Sequence, residues 1–205
     1  MDLLDNYKKA WDNQPEETSK FSAVEIYKMA KSRSSSIVKW IFIIGIIEFV
    51  VLNSMYFFVD METAYAEYDK LGLMSFVTYS QILAYIILFY FLAMFYINYK
   101  NISTVDSTKK LMKKILRTRK TVRNYVLFNL GYMALMMFIV MVAEINLNFE
   151  DLNTKQILLI ILLTVVVTLV FLGILFLFYQ LLYGILLRKL NKNHKELAKL
   201  EDLNS

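Results

Sequence analysis

Residues 157–178 read ILLIILLTVVVTLVFLGILFLF, a run that contains no charged side chain. A helix rises about 1.5 Å per residue, so this run is long enough to cross a hydrocarbon layer roughly 30 Å thick. A soluble domain of 205 residues cannot bury such a run together with others like it, and 58% of this chain is hydrophobic. The stretch therefore predicts a membrane-spanning helix and decides the fold class.

Three further apolar runs precede this one, and the four predicted spans are residues 37–59, 73–99, 124–147 and 156–187. The only proline, Pro15, lies outside all of them, which argues against the broken helices of many transporters. Short outer loops make antiparallel hairpins of residues 37–99 and 124–187. We therefore predict an all-α integral membrane four-helix bundle. Its last span is longer than the bilayer core, so that span should tilt or project into the cytoplasm.

Lysine and arginine set the predicted orientation, because cytoplasmic loops carry an excess of them. Residues 100–123 hold nine such cations against Asp106 alone, whereas the other two loops have Lys70 and Lys155 among six carboxylates. Cations also flank the membrane ends of residues 1–36 and of the tail, residues 188–205. The sequence predicts a multi-pass membrane protein with both termini in the cytoplasm.

Residues 1–36 are predicted to form two short amphipathic helices. In the second, Ser22 and Glu25 have the spacing of a capping box, and the helix should run on toward the first span. Such a small segment cannot fold alone, so its apolar side must rest on its own protein, on the membrane or on a partner protein. The candidate partner-binding residues on that side are Leu4, Tyr7, Trp11, Phe21, Ile26 and Met29.

The segment 100–123 has the period of a basic amphipathic helix. Its apolar arc comprises Val105, Leu111, Met112, Ile115, Leu116 and Val122, and its cationic arc comprises Lys109, Lys110, Lys113, Lys114, Arg117 and Lys120. Such a helix suits the anionic inner leaflet of a lipid bilayer, so we predict that the cationic arc binds anionic lipid. An acidic partner protein is the alternative, and nucleic acid is not expected without a reading motif.

Glu48 is the notable polar residue inside the spans, because charge near mid-membrane is costly and often functional. Counting from the predicted span ends places it level with Gln81, so we expect a protonated Glu48 to bond to Gln81, Ser54 or a tyrosine and so to lock the hairpin. A proton or ion relay through Glu48 is the alternative, with Asn53 among the few other polar groups.

The residue types needed for most catalytic and metal sites are missing from the sequence. There is no cysteine, and the one histidine, His194, lies in a charged tail where we expect it to be solvated. The five glycines form no phosphate-binding loop. We therefore expect neither enzymatic activity nor a cofactor or metal.

Three stretches carry a resemblance to a known family: residues 7–14 (YKKAWDNQ), 25–29 (EIYKM) and 34–44 (SSSIVKWIFII). They resemble a family of uncharacterised bacterial four-span membrane proteins. Members of that family are often mislabelled as carotenoid-cleaving oxygenases, whose four-histidine iron site this chain cannot form. The family is loosely associated with genes for extracytoplasmic-function sigma factors, and the resemblance thus implies a membrane-tethered, anti-sigma-like regulator.

These observations lead to two hypotheses about function. The first is a non-enzymatic regulator, anchor or assembly subunit that binds a cytoplasmic or membrane protein through its cytoplasmic helices. The second is a small transporter or channel with a polar path at Glu48. A second copy of this chain is a further candidate partner, because lipid-facing and partner-facing apolar surfaces have the same composition.

Overall fold

Helices form all the regular structure in residues 22–203, the part of the chain that the computed structural model describes. They are α1 Ala23–Ser54, α2 Met61–Lys70, α3 Met74–Ser103, α4 Thr108–Leu147, α5 Thr154–Tyr179 and α6 Ile185–Leu203. A π-helical turn, Gln180–Gly184, joins α5 to α6. Four continuous helical segments are long and apolar enough to cross a membrane. The prediction of an all-α protein with four spans is confirmed.

Helix α1 begins where the sequence predicts. The Glu25 backbone N–H donates to Ser22 Oγ at 3.2 Å, and the Ser22 backbone N–H donates to the Glu25 carboxylate at 2.8 Å. This capping box satisfies two N–H groups that an open helix end would leave unpaired. The helix then runs unbroken through the first predicted span, with Ile26 and Met29 half-buried on it. The other candidate partner-binding residues, Leu4, Tyr7, Trp11 and Phe21, lie outside the described residues.

The loop between the first two spans contains a helix that the sequence analysis did not predict. The Asp60 carboxylate caps α2 by accepting the N–H groups of Glu62 and Thr63 at 3.1 and 3.3 Å. Gly72 then ends the loop with a φ of +65°, a left-handed conformation that favours glycine. The tight turn at Gly72 lets α3 start two residues later.

The long helices pack as an antiparallel bundle. Helix α1 lies against α3 and α6, and α4 lies against α3, α5 and α6. Gly45 sets the closest approach of α1 to α3, because a Cβ added there would lie 3.1 Å from Leu92 Cδ2 and 3.2 Å from Phe95 Cδ2. A larger residue would require the Leu92 and Phe95 side chains to shift by a few tenths of an ångström.

Buried apolar side chains are concentrated in one half of the bundle. One cluster lies around Leu111, Ile115 and Leu190, and a second lies around Phe95 and Tyr125 near the middle of the spans. In the half of the bundle that carries α2, Val77 is the one buried hydrophobic residue of the described chain. We call the charged end of the well-packed half the basic head and define it as residues 23–36, 100–123 and 185–203.

The packing of the basic head corrects one prediction. Residues 108–123 are the first part of α4 and not a separate helix, and Leu111, Ile115 and Val122 on the predicted apolar arc are fully buried against protein. Helices α1, α3 and α6 extend alongside this arc and cover it. Of the arc, Leu116 is substantially exposed, at 47%.

Candidate functional site

Glu48 lies at the centre of the bundle, on the face of α1 that points toward the π-helical turn. It is 6% exposed. Tyr179 Oη donates to one of its carboxyl oxygens and Tyr183 Oη donates to the other, each at 2.8 Å. Both carboxyl oxygens thus have a partner, and α1 is tied to a helix more than 130 positions away in sequence.

A third tyrosine closes the site from the side of α4. The Tyr125 ring makes edge contacts with the rings of Tyr179 and Tyr183, at centroid distances of 6.1 and 6.0 Å, and with Phe95 at 5.4 Å. Tyr125 and Tyr183 are each 1% exposed, and Tyr179 is 6% exposed. We call Glu48 with Tyr125, Tyr179 and Tyr183 the tyrosine cluster. It places a carboxyl group in a closed aromatic environment, where a charge would be costly.

The π-helical turn directly follows Tyr179 and contains Tyr183, the last two tyrosines of this cluster. Such a wide turn takes up an extra residue, which rotates the helix that follows it, and it is often found at functional sites. From the turn onward, residues seven apart face inward: Tyr183 in the turn and Leu190 and Leu197 in α6 are each at most 1% exposed. The turn thus joins the lipid-exposed helix α5 to the amphipathic helix α6, whose apolar side belongs to the head.

The predicted bond between Glu48 and Gln81 is not formed. Gln81 Nε2 donates to Tyr56 Oη, and Tyr85 Oη donates to Asn53 Oδ1, both at 2.8 Å. Continuing this antiparallel register places Gln81 roughly 12 Å from the level of Glu48. The prediction failed because hydropathy locates span ends only to within a few residues, and the error adds over two helices. Of the other predicted partners, Ser54 Oγ donates to the Val51 backbone carbonyl, and tyrosines are what Glu48 has. These tyrosines lie in α5 and the π-helical turn, so they do not lock the hairpin of α1 with α3 as we predicted.

Two cavities approach the tyrosine cluster from opposite ends of the bundle. One, about 570 Å³, opens toward α2 and is lined by Asn53, Gln81 and Asn129 among apolar and aromatic side chains. The other, also about 570 Å³, opens toward the basic head and touches Tyr179 and Tyr183. Within the described chain, Asn129 Nδ2 is buried without a hydrogen-bond partner. Sequence reasoning found neither cavity.

The basic head carries strong positive charge on a folded support. Its three segments contain seventeen Lys and Arg residues against five Asp and Glu residues. Asn193 Nδ2 donates to Ser34 Oγ at 3.0 Å in its interior, and Lys109 pairs with Glu201 at 3.1 Å on its surface. The buried bond and the ion pair join α6 to α1 and α4, so the cations project from a fixed framework.

The six predicted lipid-binding cations differ in their exposure and in their partners. Lys110, Lys113, Arg117 and Lys120 are exposed. Lys109, although exposed, is engaged by Glu201, and half-buried Lys114 donates to the Asn101 backbone carbonyl at 2.9 Å. The four exposed cations without such partners among the described residues are the ones free to meet an external anion. Their lipid binding stays a prediction.

His194 is half-buried in the head, whereas we expected it to be solvated. Burial, with the nearby Arg119 cation as a second cause, lowers the pKa of His194 below its ordinary value of 6.5. The folded protein therefore binds this proton more weakly than the unfolded chain does. Its contribution to stability is fully present above pH 6.5 and is lost as pH falls through the lowered pKa.

We expect the melting temperature in detergent micelles to fall as the pH is lowered from 7.5 to 5, with a shallow component that belongs to His194. The His194→Gln variant carries no titrating group at this position and should lose that component. An identical pH profile in both proteins would contradict a role for His194. Other titrating groups contribute equally to the two profiles and cancel in the comparison.

The chain belongs to the family described as Domain of unknown function (DUF8845), whose family model matches residues 24–202. The match covers the four spans together with the described part of the basic head. No curated protein matches the chain. No solved structure matches it either.

Proposed function

We propose that this member of the DUF8845 family is a non-enzymatic membrane-anchored docking protein, a regulator or assembly subunit, whose basic head binds a partner protein with an acidic surface. The observation that supports this proposal is the excess of twelve positive charges on a head whose apolar faces already pack against one another. Such a head recognises partners chiefly through charge, which steers and orients association.

The orientation of the head is part of this proposal. We infer that the head and both termini lie in the bacterial cytoplasm, because cytoplasmic segments carry an excess of Lys and Arg. Residues 1–21 precede the head in the chain and are proposed as a further segment for binding the partner. An anti-sigma-like regulator is the specific form of this function that the family resemblance favours. A partner of that kind would be a soluble protein held at the membrane by the head.

The docking function is tested by crosslinking in native membranes from a photoreactive residue placed at position 113. We expect a defined protein partner, whose crosslinked segment is rich in Asp and Glu. The Lys110→Glu/Arg117→Glu variant should lose this crosslink at least about 10-fold, because two attractive contacts become repulsive. The Lys70→Glu/Lys155→Glu variant reverses two charges at the opposite end and should keep it.

Equal crosslinking in all three proteins would contradict charge-directed docking, and crosslinks to lipid alone would contradict a protein partner. Removal of residues 1–21 is a further arm that measures the contribution of the terminal segment. A larger deletion, through residue 36, is unsuitable because Ala30 and Ser34 are buried in the head. Its loss of binding would report the collapse of the head and not the loss of a contact.

A small transporter is the second candidate, and the two cavities on either side of the tyrosine cluster favour it. In this function Glu48 would take a proton from one cavity and release it to the other as the tyrosines move. Proton flux into proteoliposomes tests it, with Glu48→Gln expected to abolish flux without loss of folding. Unchanged flux in that variant would exclude Glu48 as the relay.

A further inference from the structure

A groove between α4 and the junction of α5 with α6 contains cations that the head does not neutralise. The part of the groove nearer the head is lined by Arg119, Lys120, Arg123 and Arg188. No carboxylate of the described residues lies within 4.0 Å of any of these four. Lys120, Arg123 and Arg188 are exposed, like most cations of the head, but together with half-buried Arg119 they line a volume of about 570 Å³. Such a concentration of unpaired positive charge favours an anionic occupant.

The geometry of the groove is fixed by contacts within the protein. Arg119 Nη1 donates to Asn191 Oδ1 at 2.7 Å, which ties α4 to α6. Arg123 lies four residues after Arg119 on α4, and Arg188 lies three residues before Asn191 on α6. Because the two helices are antiparallel, Arg123 and Arg188 lie at nearly the same level. Both stand at the ends of predicted spans, the level at which lipid headgroups lie.

The π-helical turn forms part of the groove. Gly184 is in close contact with the Gln180 side-chain amide, because a Cβ at position 184 would lie 3.0 to 3.3 Å from it. The amide of Gln180 therefore folds against the glycine and lines the groove beside the arginines. An amide supplies N–H donors that suit phosphate oxygens.

The lower part of the groove is apolar, with Val126 and Phe176 as its walls. Phe176 is 53% exposed and continues into the apolar outer surface of α5. A free phosphate would use the cations alone and leave these walls uncovered. A phospholipid would use both parts, because its phosphate meets the arginines while its acyl chains lie along the exposed helix.

We propose that this groove binds one anionic phospholipid, with Arg119, Arg123 and Arg188 around its phosphate. The site is distinct from the exposed cations Lys110, Lys113 and Arg117, on which docking of a protein partner depends. The lipid also lies directly over Tyr179 and Tyr183, so it covers the tyrosine cluster on the side of the head.

Native mass spectrometry of the full chain in a neutral detergent tests this site with phosphatidylglycerol as the probe. We expect one tightly held phosphatidylglycerol per chain. Removing two cations near a lipid surface costs roughly 2 kcal/mol, so Arg123→Gln/Arg188→Gln should bind it roughly 30-fold more weakly. The matched variant Lys110→Gln/Lys113→Gln removes the same charge outside the groove and should remain within about 3-fold of the original chain.

Equal loss of lipid in Arg123→Gln/Arg188→Gln and in Lys110→Gln/Lys113→Gln would overturn the site. It would show that the lipid is attracted by the total charge of the head and not by the groove. Displacement of the lipid by inorganic phosphate at an equal concentration would overturn the phospholipid in favour of a free anion. The Arg123→Lys/Arg188→Lys variant keeps both charges and should retain most of the lipid, which separates lost charge from lost folding. Partner crosslinking from position 113 should survive in Arg123→Gln/Arg188→Gln.

Discussion

Replacing Glu48 with alanine should lower the free energy of unfolding by roughly 3 kcal/mol, because two buried tyrosine hydroxyls then lose their acceptor. Tyr179 and Tyr183 each donate to this carboxyl group at 2.8 Å in the interior of the bundle. The shortened side chain also leaves a void beside the Tyr125 ring. Unfolding by a denaturing detergent, followed through tyrosine and tryptophan fluorescence, measures the difference.

Three milder variants separate the effect of the lost hydrogen bonds from the effect of the lost side-chain volume. Glu48→Gln keeps the shape and one acceptor oxygen, so it should cost about 1 kcal/mol. Tyr179→Phe and Tyr183→Phe each remove one hydroxyl and should cost about 0.6 to 1.7 kcal/mol, the range for hydrogen bonds between membrane helices. If Glu48→Ala is no less stable than Glu48→Gln, the carboxyl group does not hold α1 against the π-helical turn.

The Glu48→Gln variant also separates the two candidate functions. In a docking protein the tyrosine cluster is a structural lock, so Glu48→Gln should leave partner crosslinking unchanged and alter stability alone. In a transporter the same variant should remain folded and lose proton flux. A folded Glu48→Gln protein without a change in flux therefore leaves the structural role as the explanation of the buried carboxyl group.

Local sequence signals predicted much of the fold, because each depends on neighbours in the chain. Apolar length gave the four spans, and the spacing of Ser22 and Glu25 gave the start of α1. The special polar character of Glu48 was also visible. Its partners were not visible in the sequence. Tyr179 and Tyr183 lie at the start of a π-helical turn and within it, and the sequence of residues 180–184 gives no signal for such a turn.

Periodicity found the apolar arc of residues 105–122 but could not identify what covers it. A helix that rests on lipid and a helix that rests on other helices show the same alternation of apolar and charged residues. The difference is set by α6, whose apolar side follows from the rotation at the π-helical turn. The groove between α4 and the junction of α5 with α6 was missed for the same reason, because the pattern of one helix shows only one of its walls.

Leu111 and Leu116 provide a matched test of the head, because both lie on that arc and differ in what surrounds them. Leu111 is fully buried, whereas Leu116 is 47% exposed. We expect Leu111→Ala to destabilise the head by roughly 2–5 kcal/mol, the cost of a cavity in a packed core, and Leu116→Ala by less than about 1 kcal/mol. Limited proteolysis of the protein in neutral-lipid nanodiscs, with fragments mapped to residues 100–123, measures the opening of the head.

The contrast between these two leucines distinguishes a packed head from a helix lying on the membrane. On a membrane surface both side chains would enter the same lipid layer, so both variants would weaken the helix by similar amounts, and anionic lipid would protect both from cleavage. In the packed head, cleavage should rise strongly for Leu111→Ala even without anionic lipid and stay near the original rate for Leu116→Ala. Similar cleavage of the two variants would mean that lipid, and not α1 and α6, supports the first turns of α4.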